Sequence, residues 1–284
     1  MPPLQVFGAS GAVGRCLLTR ILDREEEVLA CSRAPEASDL VHGPGIHWRR
    51  ADLWQDRGHS GARRIVSAGP LSGLVDWLER IETPVLTRVV ALGSMSIESK
   101  QAAEDPGERA LAQQLAEAEQ RLFALADQRG FAATVLRPTL IWGGGRDRSL
   151  TPLFRRARRL RLLPLPREPG GLRQPVHADD VAAACLYALD HSGSAQRAIE
   201  LGGGECLSVR EMWRRVIAAA GAMPLPIPLA AYRRLATLPV IGSSALVNAL
   251  SRWPQDQTAE PEAAARLLGH APRDFAPTAA DFLR

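Results

Sequence analysis

Leu4-Gln5-Val6-Phe7-Gly8-Ala9-Ser10-Gly11-Ala12-Val13-Gly14 is the stretch on which the fold turns. A short apolar run with β-branched character enters a glycine-spaced turn. Beyond it Cys16, Leu17, Leu18, Ile21 and Leu22 recur at helical spacing. Strand, tight turn and amphipathic helix in that order open a dinucleotide-binding βαβ unit. Gly8 allows the sharp exit from the strand, Gly11 lets backbone N–H groups approach a pyrophosphate, and Gly14 lets the helix lie close to the sheet. The positive end of the helix then faces the phosphates. Ser10, Ala12 and Val13 fill the turn and join the three glycines as expected cofactor contacts.

Working outward, Glu27-Val28-Leu29-Ala30-Cys31 reads as a second strand ending at Ser32-Arg33. An NAD-preferring protein usually places an acid here, on the ribose 2′-hydroxyl. This chain has a small hydroxyl residue and a guanidinium instead, and arginine donates bidentately to phosphate. NADP(H) is therefore expected over NAD(H), with Arg15 assisting; the alternative for Arg33 is an exposed loop arginine. Ile46-His47-Trp48 followed by Asp52-Leu53 reads as a third strand and its exit, where Asp52 can meet the adenine amino group. Ile65–Ser67 with Ala68-Gly69-Pro70 is a fourth strand and a turn passing beside the cofactor, and Val89–Ser94 a fifth strand. A helix follows over about 106–128, with Leu111, Leu115, Leu122 and Leu125 on one side. Ala132–Leu136 is a sixth strand. This uninterrupted βα alternation predicts an α/β fold, a Rossmann-type doubly wound parallel sheet covered on both faces.

After Arg137-Pro138 the rhythm changes. Prolines and glycines thicken, and short helices are expected over 150–160, 178–190, 208–220, 229–236 and 261–268. Ser208 with Glu211 forms a capping-box pattern, and Pro261-Glu262 opens the last helix. Two regions are expected: a dinucleotide-binding domain over 1–140, and a mixed region over 141–284 that completes the sheet and forms a smaller substrate lobe. The cleft between them would hold the substrate.

At 284 residues, 46% of them apolar, the chain can bury a substantial core. It lacks a run of about 18 apolar residues, so no transmembrane segment is expected. Strand one begins at Leu4, too early for a signal peptide, and the four dispersed cysteines form no CxxC pair. A cytoplasmic protein with reduced thiols and no metal site is the expectation. Net charge is +4 with a pI near 9.2, and Lys100 is the only lysine. The balance suits anionic ligands such as dinucleotides and nucleotide sugars. The densest basic run, Arg155-Arg156-Ala157-Arg158-Arg159-Leu160-Arg161, could meet nucleic acid or an anionic membrane face. A solvated helix face, partly serving a phosphate, is the favoured reading, because no aromatic residue interleaves the run. No nucleic-acid partner is expected.

Two C-terminal segments carry a resemblance. Leu136-Arg137-Pro138-Thr139-Leu140-Ile141-Trp142-Gly143 is similar to the Arg-Pro…Tyr-Gly segment of the extended short-chain dehydrogenase/reductases, NAD-dependent epimerase/dehydratase type. Arg173-Gln174-Pro175-Val176-His177-Ala178-Asp179-Asp180-Val181-Ala182 resembles their Arg-x-x-x-His-x-x-Asp segment. The resemblance implies a substrate diphosphate on Arg173 and structural roles for His177 and Asp180. Trp142 either lines the nicotinamide pocket or packs.

The same resemblance exposes a departure. Active relatives carry Ser/Thr and Tyr-x-x-x-Lys, the tyrosine acting as general acid/base and the lysine lowering its pKa. Aligned on Glu119, the lysine position holds Leu115 and the tyrosine position Leu111. The Ser/Thr position holds Met95, flanked by Ser94 and Ser96. The chain's only tyrosines are Tyr187 and Tyr232, both elsewhere. Two functions follow. One is an atypical reductase or epimerase-like enzyme on a small or nucleotide-linked carbonyl or hydroxyl substrate, with Ser94 or Ser96 orienting it. The other is a non-catalytic NADP(H)-binding sensor or assembly partner, as a homodimer or within a complex, for which the apolar stretch Leu235–Leu250 is either a docking surface or, as is commoner, core.

Overall fold

The computed structural model describes residues 4–24, 26–37, 40–99, 105–147, 149–235 and 253–283. Lys100 and most of the Leu235–Leu250 stretch lie outside the described residues.

The chain divides into two compact units. The first comprises residues 1–138, 178–201 and 260–271, and the second 139–177, 202–259 and 272–284. The first unit opens with β1 (Leu4–Phe7), α1 (Ala12–Leu22), β2 (Val28–Ser32), β3 (Ile46–Arg50), β4 (Arg64–Ser67), α2 (Leu71–Arg80) and β5 (Arg88–Leu92). It continues with α3 (Ser96–Ser99), α4 (Pro106–Arg129) and β6 (Ala132–Pro138). In the second unit lie β7 (Ile141–Trp142), α5 (Leu150–Leu160), β8 (Leu162–Pro166), β9 (Leu172–Arg173) and β10 (Val176–His177). The chain returns to the first unit for α6 (Ala178–Asp190) and β11 (Arg197–Leu201). It then forms β12 (Leu207–Ser208), α7 (Val209–Ala219), β13 (Met223–Ile227) and α8 (Leu229–Leu235) in the second unit. Last, α9 (Pro261–Leu268) belongs to the first.

The first unit is the expected Rossmann-type sheet. Seven parallel strands run in the order β11-β6-β5-β4-β1-β2-β3, so the order reverses between β1 and β4. Such a reversal opens a crevice at the carboxyl ends of the strands, where ligands of open α/β sheets bind. The inner strands are buried on both faces, with Val6, Ala30, Ile65, Val66, Val89, Val90, Ala133 and Val135 inaccessible to water, whereas edge strand β3 has no buried residue. Helices α2 and α4 pack on one another over one core, where Trp77 meets Phe7 edge-on at 4.8 Å between ring centroids. Helix α1 packs against α6, and a bidentate ion pair from Arg20 to Asp179 (2.7 and 2.9 Å) joins them.

The long helix α4 has clear ends. Asp105 accepts from the Gly107 N–H, Pro106 takes the first helical position, and Gly130 closes it at φ +74°. Arg88, at the start of β5, is buried. Its guanidinium donates to the carbonyl oxygens of Ala188 and His191 and to the hydroxyls of Ser194 and Thr134. One charge thereby serves the orphan carbonyls at the end of α6, and burial pulls the Arg88 pKa down.

The second unit has its own aromatic core: Phe154 stacks on Phe282, and Trp213 packs edge-on against Trp253. Its β8 and β13 form a two-stranded parallel ribbon despite four prolines. Pro164, Pro166, Pro224 and Pro226 sit at alternate positions, and the intervening N–H groups make the hydrogen bonds. Met223 donates to the Arg161 carbonyl and Arg167 to that of Ile227, each at 2.9 Å.

Candidate functional site: the glycine turn at the strand-order reversal

The glycine turn stands where β1 meets β4. Gly8 adopts φ +68°, a left-handed conformation natural to glycine, and a Cβ there would lie 2.7 Å from the Ala68 carbonyl carbon. The turn Ala68-Gly69-Pro70 is therefore pressed against the first turn, and the Ala68 N–H donates to the Phe7 carbonyl at 3.0 Å. Gly14 lies in the first turn of α1, where a Cβ would meet the Gly8 oxygen and lie 2.6 Å from the Ala9 Cα. The helix thus approaches the strand end as only glycine permits.

Gly11 is the N-cap of α1, with extended backbone and no side-chain cap, and the first turn carries no acid. The N–H groups of Ala12, Val13 and Gly14 consequently have no partner within the helix, while Gly11 itself donates to Gly8 at 2.9 Å. Helix α2 begins in the same way after Pro70, with no side-chain cap and no acid in its first turn. An uncapped helix start beside a glycine turn fits an anionic diphosphate.

At the end of β2, Ser32 is buried and its hydroxyl donates to Ser10 at 3.1 Å while accepting from the Ala34 N–H. This link from the turn to the second strand is not foreseeable from spacing, since the two serines are 22 residues apart. Arg33 follows, exposed. Register sets Cys31 beside Arg49 and Ser32 beside Arg50, whose side chains leave opposite faces of the sheet: Arg49 donates to the Cys31 Sγ and Arg50 to the Arg33 carbonyl. The nearest acid along the chain, Glu36, is held in an ion pair by Arg50. Asp52 is half-buried, and its carboxylate accepts from the Trp54 N–H at 2.8 Å. Leu53 is buried against Gly69, whose Cβ would lie 3.1 Å from the Leu53 Cδ1.

Beyond β5, Ser94 is engaged locally: its hydroxyl accepts from the Ser96 N–H at 3.1 Å at the start of α3. Met95 is buried and donates its N–H to the Pro138 carbonyl. On α4, Leu111 is 40% exposed and Leu115 half-buried, so both aliphatic side chains stand at least partly clear of the core. One turn farther, Glu119 is buried and takes a bidentate ion pair from Arg137 at the end of β6, with separations of 3.0 and 2.5 Å. Gly93 lies over this pair: a Cβ there would lie 2.9 Å from the Glu119 Oε1. The pairing of Glu119 with Arg137 has no signature in the sequence beyond the two residues' separate motif positions.

Within the second unit, Trp142 is buried between His177 and Phe275, with ring centroids at 4.7 and 4.8 Å, both edge-on. The His177 imidazole stands 3.6 Å from the Asp281 carboxylate. Arg173 is buried on β9, and its Nη1 donates to the carbonyl oxygens of Leu172 (2.8 Å) and Gln255. Among the described residues no cluster of three or more His, Cys, Asp or Glu could hold a metal ion, and no helix is long and apolar enough to cross a membrane.

Comparison with known proteins agrees with this geometry. Residues 82–202 match the NAD dependent epimerase/dehydratase family, a span that contains Leu136–Gly143 and Arg173–Ala182 but not the glycine turn. A 2-alkyl-3-oxoalkanoate reductase of Stenotrophomonas maltophilia is 27% identical over 256 residues, covering 76% of this chain and 75% of the relative. Among solved structures, MoeE5 in complex with UDP-glucuronic acid and NAD superposes with a TM-score of 0.72 at 18% identity, covering 99% of this chain and 97% of that one. The UDP-N-acetylglucosamine 4-epimerase of Bacillus cereus gives 0.68 at 14% identity, with 99% and 95% covered. These two likenesses establish the fold.

Proposed function

From a chain whose residues 82–202 match the NAD dependent epimerase/dehydratase family, we propose an atypical NADP(H)-binding reductase that acts on a carbonyl compound without the usual tyrosine and lysine. The observation that carries the reading is the uncapped, acid-free start of α1 against the glycine turn. Those free N–H groups would hold the pyrophosphate, and the exposed Arg33 would favour a 2′-phosphate over a bare hydroxyl. The bound nicotinamide would supply a hydride. This chain's own residues orient the ligand, and water takes the place of a side chain as proton donor. Loss of a positioned acid/base costs about 10²–10⁴ in rate, so turnover is slow.

A small carbonyl substrate is favoured over a diphosphate-linked one, because Arg173 is buried and its Nη1 already serves two backbone carbonyls. The relative named for reduction of 2-alkyl-3-oxoalkanoates supports the same class. Leu111 and Leu115 favour a second reading, a sensor that binds NADP(H) and performs no chemistry. The discriminating experiment follows NADPH oxidation with a panel of 3-oxoacids and simple ketones at high enzyme concentration. Slow oxidation that depends on both protein and carbonyl supports the reductase. NADPH binding with no oxidation on any member supports the sensor.

A further inference from the structure

We infer that the second unit docks on the surface of an anionic phospholipid bilayer through the outer face of the β8–β13 ribbon and the end of α5. Helix α5 turns Leu150, Leu153, Phe154 and Ala157 inward and leaves Arg155, Arg158, Arg159 and Leu160 exposed. The chain then passes Arg161 (φ 62°) into β8. On the ribbon, Leu163 and Leu165 are buried, whereas Leu162 and its register partner Met223 point outward, followed by Leu225 opposite Pro164. Leu160, Leu162, Met223 and Leu225 are 36%, 48%, 70% and 44% exposed. They lie together, because the Met223 N–H bonds the Arg161 carbonyl and the Arg161 guanidinium reaches over Gly221.

The charge around this patch is predominantly positive, with Glu168 beyond the far end of β8, where its carboxylate accepts from the Leu229 N–H. Residues 150–167 contain six arginines and no acid, and residues 216–235 contain Arg233 and Arg234 and again no acid. Aliphatic side chains in a row, flanked by arginines that outnumber the carboxylates, match what the interface of an anionic bilayer recognises: acyl chains accept the former and headgroup phosphates the latter. A nucleic acid would satisfy the arginines but leave the four aliphatic side chains without a partner, and the exposed face offers no aromatic ring for base stacking. The basic run is therefore more than the solvated helix face its sequence suggests, and the added signal is the apolar edge that folding brings beside it.

The test is sedimentation of the full chain with vesicles of phosphatidylcholine alone, or with one third phosphatidylglycerol, at low and high salt. Binding is expected only to the mixed vesicles, weakening with salt. Each arginine at such a surface contributes about a five-fold gain, so Arg158→Ser with Arg159→Ser should weaken binding roughly 25-fold. Arg158→Lys with Arg159→Lys should preserve it. Leu162→Glu with Met223→Glu should abolish it; both sites are exposed, so an unchanged melting temperature verifies the fold. Equal binding to both vesicle types, parental binding by the serine or glutamate variants, or loss of binding in the lysine variant overturns the inference. Binding to a single-stranded RNA or to polyglutamate, with none to mixed vesicles, overturns it too and assigns the face to that class of partner.

Discussion

Replacing Gly14 by alanine tests how the turn is built. The added Cβ would stand 2.6 Å from the Ala9 Cα, against about 3.5–4.0 Å for carbons in favourable contact. Relief requires α1 to withdraw from the strand end by roughly 1 Å. Overpacking of this kind costs about 1–3 kcal/mol, while alanine gains about 1 kcal/mol over glycine within a helix. The difference runs from about zero to a net loss of about 2 kcal/mol, which lowers the melting temperature by at most roughly 4–8 °C for a unit of this size. The effect on ligand is larger. Hydrogen bonds to a charged group contribute about 1.5–3 kcal/mol each, so two lengthened N–H contacts should weaken NADPH by about 100-fold or more. Thermal melting and calorimetric titration of the same sample measure both quantities. Parental melting temperature together with affinity within about three-fold of the parent would refute the argument that close helix approach forms the phosphate site.

Two further expectations concern ion pairs. Glu119→Gln removes the negative charge that faces the largely buried Arg137 guanidinium and should cost about 2–4 kcal/mol in urea unfolding. Glu119→Leu combined with Arg137→Met should cost much less, and a single-variant loss below about 1 kcal/mol would contradict the burial argument. Glu211 is held near pKa 2, first by its hydrogen bond from Arg214 and then by Arg215. Its folded value lies below its unfolded value, so its contribution is complete above about pH 4.5 and is lost as pH falls toward about 2. Glu211→Gln should therefore lower stability at neutral pH by about 0.5–1 kcal/mol, the scale of exposed pairs. The gap to the parent should close in acid, and a gap that widens on acidification would reverse the assignment.

Much of the first unit is legible in its residues because local signals agree. Asp105-Pro106 and Gly130 bracket α4, and the spacing Gly8, Gly11, Gly14 fixes the turn and the helix start. Helix α2 is hidden: it follows Pro70 without a capping side chain and contains Gly73, which sits where a Cβ would lie 3.0 Å from the Trp54 ring. The β8–β13 ribbon is hidden for another reason. Proline argues against strands, and only the alternation of Pro164 with Pro166 and of Pro224 with Pro226 leaves the bonding N–H groups free. At the site, residue types foretell an anion-binding turn, whereas the Ser10–Ser32 and Glu119–Arg137 pairs depend on which strands become neighbours. Trp142 shows the limit of a motif position, since either a pocket wall or a packed ring suits its place in the sequence. The structure packs it among His177 and Phe275.

The most direct measurement is calorimetric titration of nucleotide-stripped protein with NADPH, NADP⁺, NADH and NAD⁺, repeated on Arg33→Ala. One exposed arginine on a 2′-phosphate accounts for about 10- to 100-fold in affinity. The account predicts tight binding of the phosphorylated pair, weaker binding of NADH and NAD⁺ by at least that factor, and a variant that loses the preference while keeping its affinity for NADH. Equal loss of NADPH and NADH in the variant would remove Arg33 from the 2′-phosphate. Failure of all four nucleotides to bind would contradict the claim that this turn holds a dinucleotide.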